Sequence, residues 1–257
     1  MSKKEEKLQA FSRLLDIMDD LRRKCPWDKK QTLQSLRYLT IEETYELADA
    51  IIENDLQEIK KELGDLLLHI VFYAKIASET NHFDITDVIN GICEKLIHRH
   101  PHIYSDTKAE TEKEVKQNWE KLKLKEGRKS VLEGVPRSLP AMVKAIRIQE
   151  KVKAVGFDWE NSQQVLDKVY EELDELQREI DNNDSEKTTQ EFGDLLFSVI
   201  NYARFLEVNP EDALEQTNRK FIKRFQYLEE KANQIQKPLS EMTLTEMDVY
   251  WNQAKEI

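Results

Sequence analysis

The sequence predicts an all-α protein made of two tandem helical-bundle repeats, each built around an acidic helical hairpin. Three observations predict it. Only 6 Gly and 6 Pro occur in 257 residues, and no stretch shows sustained β-branched alternation, a composition that favours helix throughout. Apolar residues recur at steps of three and four, as in Leu166, Val169, Leu173, Leu176 and Ile180, the seam of an amphipathic helix. A pattern of acids, glycine and apolar residues occurs twice at a constant offset, which marks an internal duplication.

In chain order, residues 1–24 predict an amphipathic helix carrying Leu8, Phe11, Leu14, Leu15, Met18 and Leu21. Cys25-Pro26-Trp27-Asp28 ends it, because Pro disfavours helix at the residue before it. The first acidic hairpin follows, with Glu43 and Glu46 on one helix and Glu62 and Asp65 on the next. Acids three apart share a helix face. The midpoint between Glu46 and Glu62, and between Glu43 and Asp65, is Asn54, inside the polar turn Glu53-Asn54-Asp55. A symmetric hairpin about Asn54 therefore brings four carboxylates to one level.

The second hairpin repeats this 129 residues later. Glu172, Glu175, Glu191 and Asp194 are its acids, Asn183 is its midpoint, and Gly193-Asp194-Leu195-Leu196 matches Gly64-Asp65-Leu66-Leu67. Its second helix carries Leu195, Leu196, Val199, Ile200 and Ala203, and the short polar break between its helices suits an antiparallel pair. Lys95 and Arg99 correspond to Lys220 and Arg224, and Trp119 to Trp251. Glu126–Pro140 gathers Gly and Pro as no other stretch does, so a linker is expected there. The expected division is 1–125, a linker over 126–145, and 146–257.

Four like charges are costly together unless a cation sits among them. Oxygen ligands of this kind suit Mg2+, with Mn2+ as a substitute. His98, His100 and His102 invite a further metal reading, but Pro101 stops the helix there, and a cap or surface cluster is the better expectation. The net charge of -11 argues against a nucleic acid polymer as partner. A nucleotide beside a metal needs only local cations. Cys25 and Cys93 have neither metal-ligand nor disulfide spacing. The charged N-terminus lacks an apolar signal core, and the apolar run Leu66–Ala74 is too short to cross a membrane. A cytoplasmic protein is expected.

E-E-x-x-E followed by E-x-x-D on a helical hairpin, present twice and flanked by C-P-W-D and H-R-H-P-H, resembles the MazG family of nucleoside triphosphate pyrophosphohydrolases. The resemblance implies the all-α NTP pyrophosphatase fold and a homodimer formed through the hairpins. It implies Mg2+-dependent hydrolysis of nucleoside triphosphates, ATP included, to monophosphate and pyrophosphate, as nucleotide-pool housecleaning. Glu172, Glu175, Glu191 and Asp194 then match metal ligands. Lys187, Lys220 and Arg224 match phosphate-binding positions, and Trp251 matches a nucleotide-contacting aromatic. Glu171 and Glu172 are the candidates for the general base.

The copies differ in their cations. Lys168 lies one turn before Glu172, and its counterpart is Leu39; Lys187 lies one turn before Glu191, and its counterpart is Glu58. The second copy is therefore expected to be catalytic and to bind substrate through Lys168 as well. Glu43, Glu46, Glu62 and Asp65 are expected to form a degenerate site. A helical adaptor binding a metal or a basic partner is the competing expectation.

Overall fold

The computed structural model describes residues 2–105, 111, 114, 115 and 130–256. These residues form helices and turns with no β-strand among them. The chain divides into two compact units, Met1–Val115 and Lys116–Ile257. Trp119 lies outside the described residues, so its correspondence to Trp251 has no structural counterpart here.

In the first unit, α1 spans Lys3–Lys24, α2 Leu33–Glu53, α3 Leu56–Ser78, α4 Ile85–Arg99 and the short α5 Pro101–Tyr104. Helices α2 and α3 form the hairpin, and α1 lies along α3. Their shared core is Met18, Leu36, Val71 and Phe72, flanked by Leu39, Leu68 and Tyr73. A reciprocal cap between Ser2 and Glu5 starts α1 and another between Thr32 and Ser35 starts α2, each satisfying N–H groups that the first helical turn leaves unpaired. At the end of α4, His100 Nδ1 donates to the Leu96 carbonyl at 2.6 Å, so this histidine serves as a cap.

In the second unit, α6 spans Ala141–Lys153, α7 Ser162–Asp181, α8 Ser185–Phe205, α9 Pro210–Gln234 and α10 Leu244–Gln253. Helices α7 and α8 form the hairpin, α6 lies on α8, and α10 lies on α9. Helix α6 begins at Ala141, inside the stretch expected as linker.

The two hairpin turns are built alike. Asn54 and Asn183 both adopt φ of 55°, and the following Asp55 and Asp184 accept from the first N–H groups of α3 and α8. Asn enters the left-handed region more readily than other non-Gly residues. The centre of symmetry of the acid pattern is thus also the residue that reverses the chain.

The apolar stripe of the second hairpin does not all turn inward. Val165, Leu176 and Ile200 are buried, whereas Leu173, Ile180, Leu196 and Val199 remain exposed. Periodicity identifies a stripe but not which part of it the rest of the unit covers.

Replacing Asn183 by Ala keeps a Cβ in the left-handed region without Asn's local hydrogen bonding and should cost about 1 kcal/mol of stability. Asn183→Gly should be close to neutral. Urea unfolding of the two variants checks this ordering.

Candidate active site

The hairpin geometry brings the acids together in both units. Carboxylate oxygens of Glu172, Glu175 and Glu191 lie within 4.8 Å of one another, and so do those of Glu43, Glu46 and Glu62. The fourth acid stands beside each trio. Burial, then the charges of Glu175 and Asp194, push the Glu191 carboxyl above its ordinary value. Burial and then Asp65 do the same to Glu43. The donor set is oxygen only, which fits a hard divalent cation. Glu62 Oε2 is also buried without a hydrogen-bond partner, an orphan that a cation among these acids would satisfy.

Each trio is partly neutralised, by a cation at a different place. In the second unit, Lys168 Nζ lies 2.8 Å from Glu172 and 2.9 Å from Glu171, and these carboxylates, Glu172 first, hold the ammonium well above its usual value. In the first unit, Lys61 Nζ lies 2.8 Å from Glu62 and 3.2 Å from Glu58. That hydrogen bond holds Glu62 below the usual carboxylate range. Lys61 has no part in the acid pattern and was not legible from it.

The surroundings separate the units. A cavity of about 530 Å³ opens beside the second trio, lined by Lys168, Glu172 and Asp194 and, further along α8, by Phe197, Ser198, Asn201 and Arg204. At its far end Arg204 pairs through both terminal nitrogens with Asp158 and also donates to Asn201 Oδ1 at 2.7 Å and 3.0 Å. The counterparts of Val165, Lys168, Phe197 and Asn201 are Leu36, Leu39, Leu68 and Phe72. In the first unit those four residues belong to the core around Met18. A cleft of about 170 Å³ in that unit touches none of its four acids.

Comparison with known proteins gives the context. The model of the MazG nucleotide pyrophosphohydrolase domain matches residues 31–104 and 160–228, more than half of the chain. The chain belongs to this family. It is 42% identical to the nucleoside triphosphate pyrophosphohydrolase of Escherichia coli K12, over 96% of this chain and 98% of that protein. It is 44% identical to the nucleoside triphosphate pyrophosphohydrolase/pyrophosphatase MazG of Thermotoga maritima, over 95% of each. It is 46% identical to YabN of Bacillus subtilis, over 98% of this chain and 53% of that protein.

The remaining residues expected at the MazG site are dispersed around it. Lys187 lies in the first turn of α8, 3.8 Å from Glu179 and from Asp184. On α9, the Arg224 guanidinium stands 6.0 Å from the Trp251 ring centre, and Phe221 stacks obliquely on Trp251 at 4.9 Å. Lys220 is exposed on the same helix. None of Lys187, Lys220, Arg224 and Trp251 lines the cavity. Glu179 was missed in the sequence, although it lies one turn beyond Glu175 on the same face and its charge acts on Glu191. Arg204, Asp158 and Gln149 carried no spacing signal, because their contacts join positions 46 and 48 residues apart through tertiary packing.

The raised Glu191 carboxyl has a consequence for stability in chelator. A carboxyl raised in the folded state holds its proton more tightly there than in the unfolded chain, so its charged form costs stability above that raised value and the cost disappears as pH falls through it. Glu191→Gln should therefore melt above wild type at pH 7, with the gap closing towards pH 4. Thermal unfolding at both pH values in EDTA measures this.

Proposed function

We propose that this chain hydrolyses nucleoside triphosphates, ATP included, to the monophosphate and pyrophosphate, and that the second unit does the chemistry with Mg2+ or Mn2+. The observation that carries the reading is the coincidence, in that unit, of a three-carboxylate cluster with a cavity of about 530 Å³ whose rim includes Lys168, Glu172 and Asp194. Two of the curated relatives that match nearly end to end are named for this activity.

Glu172, Glu175, Glu191 and Asp194 would hold the metal. When bound, it neutralises phosphate charge and lowers the pKa of a coordinated water. Lys168 is already drawn to Glu172, so an arriving phosphate finds an ammonium at the rim and exchanges one set of oxygens for another. Glu171 lies beside the cluster with its carboxylate held by Lys168. Release of that lysine to phosphate leaves Glu171 free to take a proton from the attacking water, a role it shares as candidate with Glu172. Lys187, Lys220 and Arg224 would supply cations to the β and γ phosphates, with Trp251 beside the nucleotide. These four lie outside the cavity of the single chain, which supports a homodimer in which they close on the site. Leu173, Ile180, Leu196 and Val199 are the exposed apolar face that a second copy would cover.

The first unit keeps its acids but fills the corresponding volume with side chains. Its role is then structural or cation-binding rather than catalytic. A helical adaptor that binds a metal or a basic partner without catalysis has no use for the open cavity of the second unit, which favours the enzyme, acting in nucleotide-pool housecleaning. A cytoplasmic site of action fits a nucleotide-pool enzyme, and no described helix is long and apolar enough to cross a membrane.

Product analysis with ATP, dGTP and dUTP, with and without Mg2+, tests the reading directly. Monophosphate and pyrophosphate, formed only with metal, are expected; diphosphate and phosphate would overturn the cleavage position. Glu172→Gln should lower kcat at least about 100-fold, whereas Glu43→Ala with Glu62→Ala should leave turnover within about twofold, because core side chains of the first unit take the positions that line the cavity in the second. Leu196→Asp should shift the protein towards monomer in sedimentation, by placing a charge on the exposed apolar face.

A further inference from the structure

One polar atom on the cavity wall has no partner. Gln149, on α6, is 3% exposed and lines the cavity. Its Nε2 donates to the Phe197 carbonyl at 2.8 Å. A main-chain carbonyl can only accept, so the amide cannot turn over without losing that bond. The Oε1 atom is thereby held away from Phe197, buried and without a hydrogen-bond partner. Buried polar atoms are nearly always satisfied, and an acceptor left unpaired in a side chain that lines an open cavity is suited to a donor from a ligand.

The surroundings indicate which donor. Phe197 is one helical turn beyond Asp194, about 4.5 Å along α8. The walls near Gln149 are Ile148, Val152, Val165 and Phe197, with Trp159 also lining the cavity. These apolar and aromatic walls suit a planar ring, whereas the polar lining along α8 and at the acids, Asp194, Ser198, Asn201 and Arg204 with Lys168 and Glu172, suits phosphates and sugar hydroxyls. We infer that Gln149 is a specificity-determining residue whose Oε1 accepts a hydrogen bond from an N–H on the edge of the nucleobase. This rests on the triphosphate reading above and adds to it where the base lies and what reads it.

The acceptor has a definite chemical bias. A base that offers an N–H to Oε1 is held; one that offers only ring nitrogens with lone pairs leaves the buried oxygen unpaired and adds repulsion. A site built for a hydrogen bond rejects an analogue lacking it far more strongly than an apolar pocket rejects a change in size. Purine riboside triphosphate is such an analogue, since it keeps the ring system of ATP and has no N–H on its base.

The test is a cycle between enzyme and substrate in the full-length protein. Values of kcat/KM are measured for ATP and for purine riboside triphosphate, with wild type and with Gln149→Leu, which keeps side-chain size. Wild type should prefer ATP about 10- to 100-fold. In Gln149→Leu the ATP value should fall by a similar factor while the purine riboside value stays nearly constant, so the preference disappears. An unchanged preference in the variant overturns the assignment. So does a preference that appears instead between ATP and its 2′- or 3′-deoxy analogues and is lost in Gln149→Leu, since the donor is then a sugar hydroxyl. The wild-type comparison needs no variant, and equal use of ATP and purine riboside triphosphate overturns the assignment even if Gln149→Leu fails to fold. If wild type converts none of the triphosphates to monophosphate and pyrophosphate, the triphosphate reading itself fails, and that outcome is distinct from turnover without base preference.

Discussion

Repulsion among carboxylates is the constraint on which the hairpins depend. Each brings three glutamate side chains within 4.8 Å of one another, with an aspartate alongside. Like charges at this distance disfavour the ionised state, so a nearby cation lowers the cost of keeping the clusters charged. Both hairpins answer with a lysine from within the pair, but from opposite sides. Lys168 precedes the acids of α7 and reaches Glu172, whereas Lys61 sits on α3 beside Glu62. The duplicated acid pattern is the same in both, while the neutralising cation stands at a different place in each.

That difference goes with a difference in what lies behind the acids. In the first unit the positions of Val165, Lys168, Phe197 and Asn201 are taken by Leu36, Leu39, Leu68 and Phe72, which close around Met18. Burying those side chains stabilises the unit by the ordinary hydrophobic effect and places apolar groups at the positions that line the cavity in the second unit. In the second unit Lys168 and Asn201 keep polar atoms at the same place, and the volume remains open. One helical scaffold thus holds a core in one copy and a cavity in the other. The acids alone do not distinguish them.

Much of the candidate site was readable from residue spacing. The offset of 129, the midpoints at Asn54 and Asn183, and the loss of Lys168 and Lys187 in the first copy all follow from counting along the chain. Helical periodicity converts such counts into shared faces with little ambiguity. Glu179 was readable by the same rule and was passed over. The cavity wall was a different matter. Gln149 contacts Phe197 across 48 positions, and Arg204 contacts Asp158 across 46, separations with no periodic signature.

The amino-acid sequence by itself determined the helical class, the duplication, the two acid clusters and the residue at which each hairpin turns. These are local properties, set by propensity, by repeats and by one rotation per residue. Only the tertiary structure decided which copy keeps an open cavity, which half of each apolar stripe stays exposed, and which way the Gln149 amide faces. Those outcomes depend on how α1 or α6 seats against the hairpin, and side-chain volumes from distant segments must be added up before empty space can be told from core.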